Sequence, residues 1–155
     1  ITGSKIMASR TRQIAEKLKS LIAVNFSGGE SGLNMSNRVQ IGATIDPPYV
    51  PFACVHFAQA TSEFGQSLGR YRITNTFEIY AYVGGGNLGD RAVNAMDLVE
   101  DMVKALVADR QIALPSIVDD IKCAFLAEDG DRYGVEGVGI GYIEVQVYSQ
   151  TDTGI

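Results

Sequence analysis

Residues 71–83, YRITNTFEIYAYV, alternate in character almost from end to end. Ile73, Phe77, Ile79, Ala81 and Val83 occupy one parity, and Arg72, Thr74, Thr76, Glu78, Tyr80 and Tyr82 occupy the other. Successive strand side chains point to opposite faces, so this segment calls for a sheet with one core face and one amphipathic face. The polar face reads either as plain solvent surface or as a place of contact, because tyrosine is enriched where proteins meet.

The other segments supply partners for that strand and a cover for its core face. Between about Met7 and Val24, Met7, Ile14, Leu18, Leu21 and Ile22 recur at helical spacing among Arg10, Arg12, Glu16, Lys17 and Lys19, which predicts an amphipathic helix. Residues 25–37, NFSGGESGLNMSN, have no period and read as a mobile loop. Val39, Ile41, Ala43 and Ile45 then alternate as on a half-buried strand. Pro47, Pro48 and Pro51 cannot donate to a ladder, so the entry to FACVHFAQATSEF is an edge or turn and the strand proper starts near Phe52. The P-x-x-P of Pro48 and Pro51 is read as part of that turn rather than as a recognition motif.

After a turn at GQSLGR and the long strand, a helix is expected from Asp90 to about Ala108. Val93, Met96, Val99, Val103, Leu106 and Val107 are assigned to its sheet side, and Arg91, Asn94, Asp97, Glu100, Asp101 and Lys104 to its outer side. A link broken by Pro115 leads to IKCAFLAED, a turn at DGD, and GVGIGYIEVQVYSQ, which read as a closing antiparallel hairpin. Ile143, Val145 and Val147 alternate there with Glu144, Gln146 and Tyr148. Nothing repeats and no linker divides the chain. Residues 7–155 are therefore expected to form one α+β domain, a mainly antiparallel sheet flanked by an N-terminal and a long central helix. Residues 1–6, ahead of Met7, are set aside as a leader or appended segment.

A chain of 155 residues is long enough to bury roughly 68–70% of its unfolded surface without a metal or disulfide. Its formal net charge of −5 argues against non-specific nucleic-acid binding, which needs clustered Lys and Arg. No apolar run approaches the roughly 18 residues needed to span a bilayer. Cys54 and Cys123 fall in strand-like runs and read as buried free thiols.

AYVGGGNLGDRAVNAMDL contains G-x-G-x-x-G between a strand and a helix, the pattern that cradles a dinucleotide pyrophosphate. That function requires a parallel strand returning directly after the helix, and Pro115 interrupts the place where it should lie. Asp90, read as an N-cap, would also set a carboxylate where a phosphate would bind. Gly84 to Gly89 are accordingly read as a flexible strand-to-helix turn, with a small nucleotide-binding enzyme as the minor alternative.

Other chemistry is thin. Cys54 and His56 share strand parity, but a same-face spacing of about 7 Å exceeds hydrogen-bond reach. Asp129, Asp131 and Gly134 fit the start of a calcium loop, but Tyr133 and Ile140 occupy later ligand positions, so the segment is read as a hairpin turn. Asp119 and Asp120 adjoin and would point to opposite faces. No catalytic residue, cofactor or metal site is assigned. The chain reads as a protein that works by shape and contact.

The order of parts is informative in itself. The N-terminal helix, PPYVPFACVHF, YRITNTFEIYAYV, a Gly-containing turn, RAVNAMDLVEDMVKAL, LPSIVDDI and GYIEVQVY together resemble the tail-terminator, or tail-completion, proteins of long-tailed bacteriophages. The resemblance extends from about Met7 to Tyr148 and rests on architecture and on the DLVEDMVKAL to LPSIVDDI succession. It implies a virion structural protein, assembled in the host cytoplasm, that forms a hexameric ring on the head-proximal end of the tail tube. Such a ring stops tube growth and joins the tail to a neck or head-tail connector protein, while DNA passes through its lumen unbound. Another neck ring subunit is the nearest alternative. Ring closure by head-to-tail contacts needs two different complementary patches. The face around Glu78, Tyr80 and Tyr82 is the candidate for one. The loop from Ser27 to Asn37, with Asn34, and the turn carrying Asp129, Asp131 and Tyr133 are candidates for contact with tube or neck.

Overall fold

The computed structural model describes residues 9–44, 46–64, 70–85, 88–130 and 137–151. Met7, Ile45, the GQSLGR turn up to residue 69, and Asp131, Tyr133 and Gly134 lie outside them.

The first helix, α1 (Arg10–Ile22), starts at Ser9, whose Oγ accepts the Arg12 backbone N–H at 3.1 Å. This N-cap satisfies one of the donors that the first helical turn leaves without a partner. Ile14, Ala15, Leu18 and Ile22 recur every three or four residues and are buried, as the sequence spacing predicts. The expected strand from Val39 to Ile45 shortens to β1 (Val39–Ile41), because Gly42 takes φ +109 and turns the chain away.

Three long strands carry the sheet. They are β2 (Phe52–Phe64), β3 (Tyr71–Gly84) and, after the second helix, β5 (Val138–Thr151). With β1 and with β4 (Asp120–Asp129) they form a five-stranded sheet of order β1-β2-β3-β5-β4. The β1–β2 pair is parallel and the other three pairs are antiparallel. The α+β architecture and the closing hairpin are therefore present, and the proline-rich entry lies outside the ladder as expected.

Parity along β3 holds. Ile73, Asn75, Phe77, Ile79, Ala81 and Val83 are all buried on the helix side, beside Ile143, Val145 and Val147 of β5.

The helix α2 (Leu88–Val107) covers this face, but with a different side from the one its sequence suggests. Ala95, Leu98, Val99, Met102 and Leu106 are buried, whereas Val93, Met96 and Val107 remain 48%, 49% and 43% exposed. Asp101, assigned to the outer side, is buried. Apolar residues run round more of α2 than a single stripe, so local periodicity does not choose among them. The choice is made by β5. A Cβ on Gly139 would stand 2.0 Å from the Arg91 carbonyl oxygen, and one on Gly141 would stand 2.1 Å from Val99 Cγ2. These two glycines on the inner face make a trough in which α2 lies, and Ala95 is the small residue that faces it.

The link that follows α2 is irregular but plugged into the core by Ile112 and Val118. Asp109 accepts the backbone N–H groups of Gln111 and Ala113, at 3.0 and 2.8 Å, which holds Ile112 and Ala113 at positive φ.

Because the Arg91 carbonyl belongs to a helix and cannot swing aside, Gly139→Ala is expected to destabilise the fold by about 1–3 kcal/mol through overpacking. Gly28→Ala, where a Cβ meets nothing within 4 Å, is expected to stay within about 0.5 kcal/mol of the parent. Urea midpoints of the two variants decide between them.

Candidate functional site

Opposite the helices, the sheet presents rows of side chains fixed by strand register. Cys54, Tyr80, Tyr142 and Leu126 form one row, and His56, Glu78, Glu144 and Ala124 the next. Thr76, Gln146 and Lys122 follow, then Thr74, Tyr148 and Asp120.

At the centre, the Tyr142 hydroxyl donates to Glu78 Oε2 at 2.6 Å, and the Tyr80 and Tyr142 rings meet at 5.3 Å and 60°. His56 Nε2 stands 4.0 Å from the other Glu78 oxygen. Glu78 is thus held between a tyrosine and the chain's single histidine, with Glu144 directly across the ladder. Burial and the hydrogen-bonded Glu78 carboxylate push the Tyr142 phenol well up, and burial with the charge of Glu78 raises Tyr80. Both stay protonated donors at neutral pH, so the row can offer hydroxyls and carboxylates but no phenolate. Tyr142 has no distinct signal of its own. Its parity with Glu144, Gln146 and Tyr148 places it on this face, but only the β3–β5 register brings it to Glu78.

Tyr82, expected on the same open face, is 3% exposed. Residues 42–44 and 46–51 fold over this end of the sheet, the Tyr82 hydroxyl donates to the Thr44 carbonyl, and Phe52, Cys54 and Ile140 close a second small core around the ring. Burial pushes its phenol up to about 12. The side chain belongs to the fold, because a loop distant in sequence covers it. Burial likewise raises the thiols of Cys54 and Cys123, the latter to about 11, which leaves neither as a thiolate near neutral pH.

The loop from Ser27 to Asn37, expected to be mobile, is irregular but tied down. Asp101 of α2 accepts the backbone N–H groups of Glu30 and Ser31 at 2.9 and 2.8 Å, and the Ser31 hydroxyl at 2.6 Å. Gly29 is needed beside it, since a Cβ there would come within 2.6 Å of the carboxylate. Asn34 sits exposed at the far side, bridging to Asn25 and accepting the Ser36 N–H at 3.0 Å. Asp129, the last residue of β4, pairs with Gly139. The structure therefore sets the Glu78 row and Asn34 on separate parts of the molecule.

The glycine turn requires a correction. A crossover does exist: β3 and β4 both run antiparallel to β5, so α2 connects two strands of the same direction with β5 between them. Pro115 lies in the link ahead of β4 and interrupts no strand. Asp90 lies within the first turn of α2, not at its cap. The arrangement is still poorly suited to phosphate. Asn94 Nδ2 donates to the Gly84 carbonyl at 3.0 Å and Arg91 Nε to that of Gly85 at 3.5 Å, so side chains of α2 already engage the described start of the turn. The neighbouring crevice, about 200 Å³, is lined by Leu33, Pro51, Val83 and the Asp97 carboxylate among others. That is below the 300 Å³ or more of typical ligand pockets. Among the described residues no three His, Cys, Asp or Glu side chains gather as a metal site.

No protein-family model matches this chain, and no curated protein sequence matches it.

Two outcomes are expected. Burial opposes ionisation of Asp101, but the bonds from Ser31 and Glu30 and the nearby Lys104 outweigh it and hold its pKa below the ordinary carboxylate value. The stabilisation is therefore complete above the unfolded pKa near 3.9 and is lost as pH falls through the lower folded value. Asp101→Asn is expected to cost about 1–3 kcal/mol at neutral pH and to flatten the acid limb, read from urea midpoints across a pH series. On the outer face, Glu78→Gln is expected to bring both Tyr142 and Tyr80 down in a spectrophotometric titration. An unchanged titration would show that the Glu78 bond does not form.

Proposed function

We propose that this protein is a virion structural subunit, a tail terminator that closes into a ring on the head-proximal end of a phage tail tube. The observation that carries the reading is the succession α1, β1 to β3, α2, link, β4, β5, with both helices on one face of a mainly antiparallel sheet. This is the subunit architecture that the resemblance implies. The outer face supports it as well: tyrosines, carboxylates and amides held in register make a broad polar surface suited to contact rather than to turnover.

In this reading the ring works by shape. One end seats on the last ring of tube subunits and withholds the surface on which the next would add, and the other end offers itself to the neck or connector protein. The acidic balance of the chain keeps DNA moving through the lumen, because like charges repel within a Debye length. The half-buried Glu78 and Tyr80 and the loop bearing the exposed Asn34 are the surfaces from which its contacts are drawn.

The test is negative-stain microscopy of the purified protein, alone and mixed with tail tubes from the same source. Six-fold rings, or caps on one tube end that stop further growth, are the expected result. A protein that leaves both tube ends bare and growing overturns the reading.

A further inference from the structure

We infer that the cavity at the start of α1 binds an aliphatic monocarboxylate, its oxygens on the first turn of the helix and its carbon chain against the sheet. The site is separate from the Glu78 row and does not depend on the ring reading.

The cavity holds about 420 Å³, within the range of small-molecule pockets, and lies on the helix side of the sheet. Strand register builds its floor. Ala60 of β2 pairs with Asn75 of β3, Ser62 with Ile73, and Ile73 with Ser149 of β5, so these side chains share the face on which α1 stands. Ser9, Arg10 and Thr11 form the wall above them.

Two polar side chains of the floor are buried: Asn75 and Ser149 are each 2% exposed. The Thr11 hydroxyl donates to Asn75 Oδ1 at 3.3 Å, which turns the amide towards the helix start. Among the described residues neither the Asn75 Nδ2 nor the Ser149 hydroxyl has a partner of its own. Buried donors are nearly always paired, so both call for an acceptor placed in the cavity.

The helix start adds further donors. Ser9 takes the Arg12 N–H, but the N–H groups of Arg10 and Thr11 meet no acceptor among the described residues. Helices favour an acid in the first turn, where it meets the positive end of the dipole, yet α1 has none there and carries Arg10 and Arg12 instead. Arg12 is drawn off by Glu16 at 3.1 Å. Arg10 is held at the rim, its Nη1 donating to the Gln150 carbonyl at 3.1 Å, with other guanidinium N–H groups left for a ligand. In a chain of net charge −5 this makes a local positive site, the setting in which helix starts bind anions.

Charge and lining choose the anion. Arg10 is the only charged side chain among the lining residues, and the helix start adds about half a unit charge, so the site balances one negative charge better than two. A carboxylate meets that condition and a phosphate dianion does not. Ala60 and Ile73 then offer apolar surface that an inorganic ion would leave unused and an aliphatic chain would cover.

The test is a titration of the isotope-labelled protein followed by amide NMR. Hexanoate and acetyl-glycyl-leucine present the same chemistry as a free acid and as a chain terminus, and hexanamide and inorganic phosphate are the controls. Hexanoate is expected to shift the Arg10 and Thr11 backbone amides and the Asn75 side-chain amide to saturation; tighter binding of the peptide would assign the site to a chain terminus, and weaker binding to a free acid. Both controls are expected to bind at least about tenfold more weakly than hexanoate, and Arg10→Gln to weaken hexanoate by about tenfold. Ala60→Phe, which fills the cavity from an exposed position, is expected to abolish binding, with thermal melts confirming that both variants fold. Unmoved Arg10 and Thr11 amides with both acids would overturn the assignment. So would hexanamide or phosphate binding as tightly as hexanoate, or undiminished binding by either folded variant.

Discussion

The close approach of α2 to β5 is the constraint from which the rest of the molecule follows. A helix normally packs on a sheet through two layers of side chains, but at Gly139 and Gly141 one layer is missing and the helix backbone and Val99 occupy its place. That contact fixes the rotation of α2 about its own axis. Ala95, Leu98, Val99, Met102 and Leu106 turn inward as a consequence, and Val93, Met96 and Val107 turn to the surface. The same rotation aims Asp101 at the loop ahead of β1, where three donors meet its carboxylate. A buried carboxylate without those donors would be costly, so the loop and the helix orientation depend on one another.

α2 also decides the edges of the sheet. By carrying the chain over the helix face from β3 to a strand of the same direction, it leaves a gap that β5 fills, and it puts β4 at the border. With β1 only three residues long, nothing among the described residues pairs with the opposite border over the distal half of β2. Both helices lie on one face, so the other is left to the Glu78, Tyr80 and Tyr142 row, except where the segment at Thr44 folds over Tyr82. The described residues therefore offer a polar face of tyrosines, carboxylates and amides opposite the helices.

Much of this was legible in the chain. The parity of β3 and β5 is a local property, since neighbouring residues on a strand always face opposite ways, and the burial of Ile73, Phe77, Ile79, Ile143, Val145 and Val147 follows it without exception. The amphipathic α1 was equally plain because its polar residues leave a single apolar stripe. α2 was not, because its valines and methionines lie on several sides and the deciding residues, Gly139 and Gly141, sit some forty positions later. Tyr82 looked like its neighbour Tyr80, and only the segment that brings Thr44 over its ring separates their fates.

The sequence by itself determined which segments are strands and helices, which face of each long strand is apolar, and that the whole makes one α+β domain, because those properties depend on residues within a turn or two of one another. Tertiary structure alone decided which side of α2 is buried, which carboxylate anchors the loop, which tyrosine is covered, and that α2 makes a crossover. Each of those depends on register and close approach between segments far apart in the chain, where a missing Cβ or a single carboxylate outweighs local pattern.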